Sequence, residues 1–331
     1  MRDTIGPRHW RRAAVFAFVA VLAPGLAGAQ PSSYPSRPVR FVVPLPPGGG
    51  ADLVARTVAE RLGKSLGQQV VVDNKPGGGT VIGADFVAHS PPDGHTLLLG
   101  TATTHAINAS LVKKLPYDPV RDFAPVSLVA VLPLILVVHP ALPANSIKEL
   151  VALARARPNQ IFFASTGNGS SIHLAGEMLK KVAAVQMVHV PYKGAAPALT
   201  DLLAGQVQFM FTTIPPALPH VKSGRLKVFA VATAKRSALL PAVPTTAEAG
   251  APGVEASSWN GVLVPAGTPK EIVARLNAEL VEIMKAADVR ERLATAGVEP
   301  ITNTPAEFAA YMEAETARYA DVVKASGARV D

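Results

Sequence analysis

The chain has 331 residues, a formal net charge of +8, 5% aromatic residues and no cysteine. Without cysteine it has no disulfide framework, thiol nucleophile, thiolate metal site or attachment point for a lipid anchor. The few aromatics and the absence of any Lys/Arg run exclude the stacking platforms and dense phosphate contacts of a nucleic-acid binder, and the length exceeds what one compact core usually covers, so two lobes are expected.

The N-terminus reads as an export leader. Arg2, Arg8, Arg11 and Arg12 precede an apolar run at residues 13–23, Pro24-Gly25 breaks it, and Ala27-Gly28-Ala29 has the small-x-small form a signal peptidase accepts. Residues 1–29 are therefore expected to be removed by cleavage after Ala29, leaving a free periplasmic protein. A retained anchor fits less well, because the apolar run is about half the length needed to cross a bilayer of roughly 30 Å. The residues around Arg11-Arg12 do not specify twin-arginine export. Removal takes away four Arg and one Asp and leaves 302 residues with a charge of +5. Such a surface favours anions, an effect screened beyond about 8 Å at physiological salt.

From Tyr34 onward, short β-rich runs alternate with amphipathic stretches, the pattern of α/β architecture with largely parallel sheets. Strands are expected at residues 39–45, 69–73 and 96–100. Helices at 51–66, with Val54, Val58 and Leu62 as a buried stripe, and at 81–89 lie between them. Residues 125–139 are too short for a membrane span and contain Pro133, so they read as buried strands split at that proline. Ser146 and Glu149 form a capping box that starts a helix. Strands at 161–165, 186–190, 207–211 and 226–232 then alternate with helices at 172–182 and 196–205. Thr268-Pro269-Lys270-Glu271 and Thr304-Pro305-Ala306-Glu307 each supply a Thr cap, a proline at the first helical position and a glutamate at the third, which predicts two C-terminal helices. A chain that leaves one lobe and later returns makes a double-stranded hinge. The crossings are expected near Pro133 and near residues 259–264, giving a discontinuous first lobe of residues 34–132 plus 260–331 and a second lobe of 133–259.

Two glycine-bearing loops each join a strand to a helix, one per expected lobe: Pro46-Pro47-Gly48-Gly49-Gly50-Ala51-Asp52 and Ser165-Thr166-Gly167-Asn168-Gly169-Ser170-Ser171. A helix N-terminus leaves up to four amides unpaired and carries roughly half a positive charge, so it suits an anion. Glycine admits close backbone approach, and Ser and Thr add neutral donors. Facing each other across a cleft, the loops would grip a carboxylate from both sides. The plainer reading is that such turns use Gly and Ser for steric reasons alone. Asp52 stabilises a helix start yet repels an anion, which makes it a cap or loop organiser, with contact to a ligand ammonium as the lesser alternative. The cluster Pro76-Gly77-Gly78-Gly79 does not match a dinucleotide fingerprint and reads as a structural turn, with facing the cleft as its open alternative.

Enzyme signals are poor. No G-x-S-x-G elbow, H-E-x-x-H helix or P-loop occurs, the histidines have no ligand spacing, and Ser170 and Ser171 do not pair with His173 as nucleophile and base. No cofactor, catalytic residue or metal site is expected.

An ordered set of motifs spans almost the whole exported chain. It includes Tyr34-Pro35, Pro47-Gly48-Gly49 with Asp52 and Arg56, Asn74-Lys75-Pro76-Gly77, Pro92-Asp93-Gly94-His95, and Thr104-His105-Ala106-Ile107-Asn108. Tyr117-Asp118-Pro119, Ser165-Thr166-Gly167 with Gly169-Ser170, His173-Leu174-Ala175-Gly176-Glu177, Val190-Pro191-Tyr192-Lys193-Gly194, Trp259-Asn260-Gly261 and Pro265-Ala266-Gly267-Thr268-Pro269 complete it. In these the chain resembles the substrate-binding proteins of tripartite tricarboxylate transporters, the Bug receptor family. The resemblance implies a two-lobed type II periplasmic-binding-protein fold that closes like a flytrap on a di- or tricarboxylate or another organic acid. It implies a ligand set of Pro47, Gly48, Gly49, Asp52, Thr104, Ser165, Thr166, Gly167, Asn168, Gly169, Ser170, His173 and Thr212. It also implies delivery by a monomer to the membrane subunits of such a transporter. Where the family often has an acidic residue after the strand ending near Phe211, this chain has Thr212-Thr213-Ile214, which weakens the case for an amino-acid ligand. A receptor that signals to a sensor kinase is the alternative role, and an exported hydrolase working through Ser170 and Ser171 is a remote one.

Overall fold

Short Val-, Leu- and Phe-rich runs separated by glycine-punctuated turns set the alternation of strand and helix. The computed structural model describes residues 1–3 and 34–328, so the expected leader, apart from residues 1–3, and its cut after Ala29 lie outside the described residues. The first part of the chain forms β1 (Val39–Val43), α1 (Gly50–Leu66), β2 (Val70–Asn74), α2 (Val81–Ala88) and β3 (Thr96–Thr101). A π-helical turn at Ala102–Ile107 and α3 (Asn108–Leu111) lead into the long β4 (Phe123–Val138). Next come α4 (Ile147–Ala156), β5 (Phe162–Ser165), α5 (Ser171–Ala183), β6 (Val188–Pro191), α6 (Ala195–Leu203), β7 (Phe209–Thr213), α7 (Ile214–Lys222) and β8 (Lys227–Val231). The chain closes with β9 (Ser257–Pro265), α8 (Lys270–Lys285), α9 (Ala287–Thr295), β10 (Glu299–Pro300) and α10 (Pro305–Ser326).

The strands follow the order β2-β1-β3-β9-β4-β7-β5-β6. The outer triplets are parallel, as expected from their βα units. The middle is antiparallel: β9 against β3 and β4, and β4 against β7 and β8. Strands that carry the chain out of one lobe and back must run in opposite directions, which is why a parallel majority does not extend across the centre. β4 pairs with β9 up to Pro133 opposite Ser257, then with β7 from Leu134 opposite Thr213. It is one continuous strand and not the pair split at Pro133 that the proline suggests. The missing N–H falls where the strand exchanges partners, so no ladder bond is lost. The return strand enters the first sheet at Ser257, ahead of the 259–264 stretch expected for the crossing.

Three apolar cores follow from this layout. One contains Leu134, Phe163, Phe209 and Phe211 and lies wholly between residues 134 and 256. The other two cover opposite faces of the first sheet, one under α1 and α8 with Leu62, Leu276 and Leu280, the other under α10 with Trp259, Phe308 and Tyr319. α7 is a helix that three prolines hide in the sequence: Pro215 and Pro216 occupy its first turn, where an N–H is not needed. The C-terminus holds three helices and not two, since α9 separates the two that were expected. Thr304 caps α10 with the predicted box, its hydroxyl accepting from Glu307 N at 3.2 Å and its amide donating to Glu307 Oε2 at 2.8 Å. Thr268 does not cap α8: its hydroxyl donates back to Pro265 O at 2.7 Å, and Pro269 takes the cap position.

Candidate functional site

The first glycine loop leaves β1 and enters α1 at Gly50, with Gly49 at the cap and no side chain capping the amides. Gly48 has φ of +87°, which glycine adopts without strain, and a methyl group added at Gly48 or Gly49 would touch nothing within 4 Å. The loop therefore presents bare backbone to open space. Asp52 holds it from behind. Its Oδ2 accepts from Gly48 N at 3.1 Å and Arg56 Nε at 3.0 Å, and its Oδ1 accepts from Asn74 Nδ2 at 3.1 Å, while the same Asn74 nitrogen donates to Leu45 O at 3.0 Å. Burial pushes the Asp52 carboxyl up, but the bonds from Arg56, Gly48 and Asn74 outweigh it and hold the group below its ordinary range. A buried, ionised and engaged carboxylate organises the loop. Asp52→Ala is expected to lower stability by about 1–3 kcal/mol, because Arg56 and Asn74 lose their acceptor. Asp52→Asn should cost less than half of that, and urea unfolding of the two variants compares them.

The second loop leaves β5 at Ser165 and enters α5, capped by Ser170, whose hydroxyl accepts from His173 N at 3.1 Å and donates to Gly167 O at 2.9 Å. Gly167 and Gly169 take φ of +134° and +75°, a region that L side chains rarely enter. Ser165 is buried, and its hydroxyl donates to Gly167 O at 3.0 Å and accepts from Gly167 N at 3.1 Å.

The two loops meet through a third turn. Tyr192 N donates to Ser165 O at 3.0 Å, and a methyl group on Gly167 would lie 3.6 Å from Tyr192 O. Two residues on, a methyl group on Gly194 would lie 2.9 Å from Pro46 Cγ, in the first loop. A methyl group on Gly50 would lie 3.0 Å from Thr213 Oγ1 and 3.5 Å from Pro215 Cγ, and one on Gly79 would lie 3.8 Å from Asn168 O. Turns from both sheets thus converge around the Pro47-Gly48-Gly49 and Thr166-Gly167-Asn168 backbones. The glycine cluster at 77–79 belongs to the same gathering, held by Asn108 Nδ2 donating to Gly79 O at 3.0 Å.

The other expected site residues divide. Thr212 lies at the C-terminal end of β7, fully buried, with a hydroxyl that has no partner among the described residues. Thr104 uses its hydroxyl inside the π-helical turn, donating to Thr101 O at 2.9 Å and accepting from Thr101 N at 2.8 Å. His173 is 7% exposed, with Nδ1 accepting from Gly169 N at 3.1 Å and Nε2 facing Glu177 Oε1 at 3.7 Å, so both nitrogens point into the second lobe. Residues 192–194 were not among the expected ligand residues, although Gly194 stands between strand and helix as the two chosen glycine loops do.

The arrangement is chemically one of neutral donors and helix N-termini, with its nearest carboxylate engaged. Ser165 Oγ and His189 Nε2 lie 2.6 Å apart, but the serine is fully buried and is no nucleophile presented to a cleft. Among the described residues, no group of three His, Asp or Glu side chains is placed to hold a metal, and no helix is long and apolar enough to cross a membrane.

Residues 54–328 match the tripartite tricarboxylate transporter family receptor. The chain is 41% identical over 307 residues to Protein BugT of Bordetella pertussis, covering 92% of this chain and 94% of that one. Among solved structures it is similar to R. palustris Rpa4515 with adipate, at 39% identity and a TM-score of 0.87 over 90% of this chain and 100% of that one. It is also similar to MatC (Rpa3494) from Rhodopseudomonas palustris with bound malate, at 35% identity and a TM-score of 0.83, over 88% of this chain and 100% of that one. With this match across most of its length and strand–glycine–helix turns gathered from two sheets, the chain belongs to the tripartite tricarboxylate transporter receptor family and has its two-lobed periplasmic-binding-protein fold.

Proposed function

We propose that the chain is an exported periplasmic receptor that closes on a small carboxylate, a di- or tricarboxylate or another organic acid, and delivers it to the membrane subunits of a tripartite tricarboxylate-type transporter. The observation that carries this reading is the approach of the Pro46-to-Asp52 and Ser165-to-Ser171 loops through the Tyr192-to-Gly194 turn, where a methyl group on Gly194 would lie 2.9 Å from Pro46 Cγ and one on Gly167 would lie 3.6 Å from Tyr192 O, with each loop opening a helix. Two helix N-termini and several unencumbered backbone segments suit a ligand with negative charge and little steric tolerance. The adipate and malate of the two R. palustris structures support the same class. Closure pivots where β4 changes partner, between Pro133 and Leu134, and where the chain returns before Ser257, so that residues 34–133 plus 257–328 move against the segment between them. The leader directs export and is cut after Ala29.

The test is calorimetric titration of the chain lacking residues 1–29 with adipate, malate, citrate and the diamide of adipate. A carboxylate is expected to bind and the diamide to fail. At 100 times its dissociation constant the ligand adds about 2.7 kcal/mol, enough to raise the thermal midpoint by several degrees. Indifference to every carboxylate sinks the reading. Deletion of the gene should abolish uptake of whichever acid binds.

A further inference from the structure

Behind the second loop stands a pair of histidines, of which His173 belongs to the ligand set that the family resemblance implies and His189 does not. His173 on α5 and His189 on β6 stack with centroids 3.9 Å apart at 20°, and the ring of His189 packs on Phe163 at 5.0 Å. Each ring reaches a different point of the 165–170 turn. His173 Nδ1 accepts from Gly169 N, which can only donate, so the proton of that ring is on Nε2, toward Glu177 Oε1 at 3.7 Å; Glu177 is in turn paired to Lys180 at 2.8 Å. His189 Nε2 approaches Ser165 Oγ to 2.6 Å. In the tautomer that leaves the Ser165 hydroxyl donating to Gly167 O, the short contact is Nε2–H of His189 donating to the serine oxygen. Burial, with the neighbouring His173, pushes His189 down to about 3, so its ring remains neutral at any pH the periplasm is expected to meet.

We propose that His189 is a positioning residue for ligand binding: through the Ser165 hydroxyl it fixes the direction in which the Thr166 and Gly167 backbone faces the cleft, with His173 locking the other end of the turn at Gly169. The inference rests on the carboxylate reading above. Packing alone does not account for the pair. A phenyl ring would stack on His173 and Phe163 equally well, but Ser165 is fully buried, and no solvent would replace the lost donor. The serine would then be free to turn its hydroxyl, and Gly167, whose amide and carbonyl both bond that oxygen, would lose the restraint that keeps its φ at +134°.

The experiment titrates adipate into the wild type, His189→Phe and His189→Gln, with apo thermal midpoints measured for all three. The phenylalanine keeps the stack and removes the donor; the glutamine places an amide N–H near the position of Nε2. Adipate binding is expected to weaken at least tenfold in His189→Phe and to recover most of that in His189→Gln, with both apo midpoints within a few degrees of the wild type. If His189→Phe does not fold, Ser165→Ala replaces it and should show the same tenfold loss. Wild-type affinity in His189→Phe, or equal weakness in both variants, overturns the inference while leaving the carboxylate reading intact. A wild type that binds neither adipate, malate nor citrate overturns both.

Discussion

Replacing Gly261 with valine should destabilise the protein by about 3 kcal/mol or more and lower its thermal midpoint by roughly 6 °C or more. Gly261 stands in the middle of β9, opposite Gly100 of β3 and Leu128 of β4. A methyl group there would lie 2.6 Å from Cε1 and 2.8 Å from Cε2 of Phe308, with Cζ nearer still, so Gly261 leaves a hollow in the sheet that the Phe308 ring fills. That ring is fully buried and meets Trp259 edge-on, centroids 5.8 Å apart at 89°. It sits in the first turn of α10, just after the Thr304 capping box, and cannot retreat unless the helix start moves with it. Overpacking usually costs about 1–3 kcal/mol, and expelling a buried aromatic ring costs about 3–5. The valine forces a mixture of the two. A double-mutant cycle separates this mechanism from a general loss of strand stability: once Phe308→Ala has emptied the hollow, Gly261→Val should cost much less than it does alone. Additive losses, or a single-variant loss below about 1 kcal/mol, would show that the helix does not depend on the hollow.

The βα units were legible because local pattern decides them. Val54, Val58 and Leu62 mark one face of α1 whatever the rest of the chain does, and all three are buried. The course of β4 was not, since Pro133 reads as a break unless one knows that the strand trades β9 for β7 at that residue. α7 was hidden because proline forbids a helix interior but suits its first turn, and which of the two Pro215 and Pro216 occupy is settled by packing against β4 and β7. Thr268 misled for the opposite reason: its spacing to Glu271 is that of a capping box, but Pro265 O competes for its hydroxyl. In the candidate site, the two glycine loops were visible as turns between strand and helix. What they face was not, because Pro46 and Gly194, or Gly79 and Asn168, are brought together only by the relative placement of the sheets. His173 shows the same limit at the scale of one side chain, since the motif names the residue while ring orientation decides that it serves Gly169 and Glu177.

Acidification should destabilise the protein through His105, with about 2–3 kcal/mol of stability lost between pH 6.5 and 4.5. The ring is fully buried in the π-helical turn, against Phe123 at 4.9 Å and Trp259 at 6.3 Å. Its Nδ1 lies 2.7 Å from Thr104 Oγ1, and Nε2 has no partner among the described residues. Burial pushes its pKa down to about 3, so the folded protein keeps it neutral where the unfolded chain, titrating near the ordinary value of about 6.5, takes up a proton. A group whose folded value is depressed leaves stability complete above the unfolded value, and that stability drains away as pH falls toward the folded one. His189 is neutral for the same reason and adds to the loss in the same window. Carboxylates held below their ordinary range, such as Asp52 and Glu177, begin to contribute only near and below pH 4.5, so the upper part of the transition belongs to the histidines. Urea unfolding at pH 7 and 4.5 measures the difference. His105→Gln should be less stable than the wild type at pH 7, since glutamine fills the ring's place imperfectly, yet should lose much less on acidification. A variant whose loss matches the wild type's would move the titration elsewhere. Because Thr101 and Thr104 form the turn at the end of β3 that His105 anchors, protonation there would loosen that turn as well as the core around it.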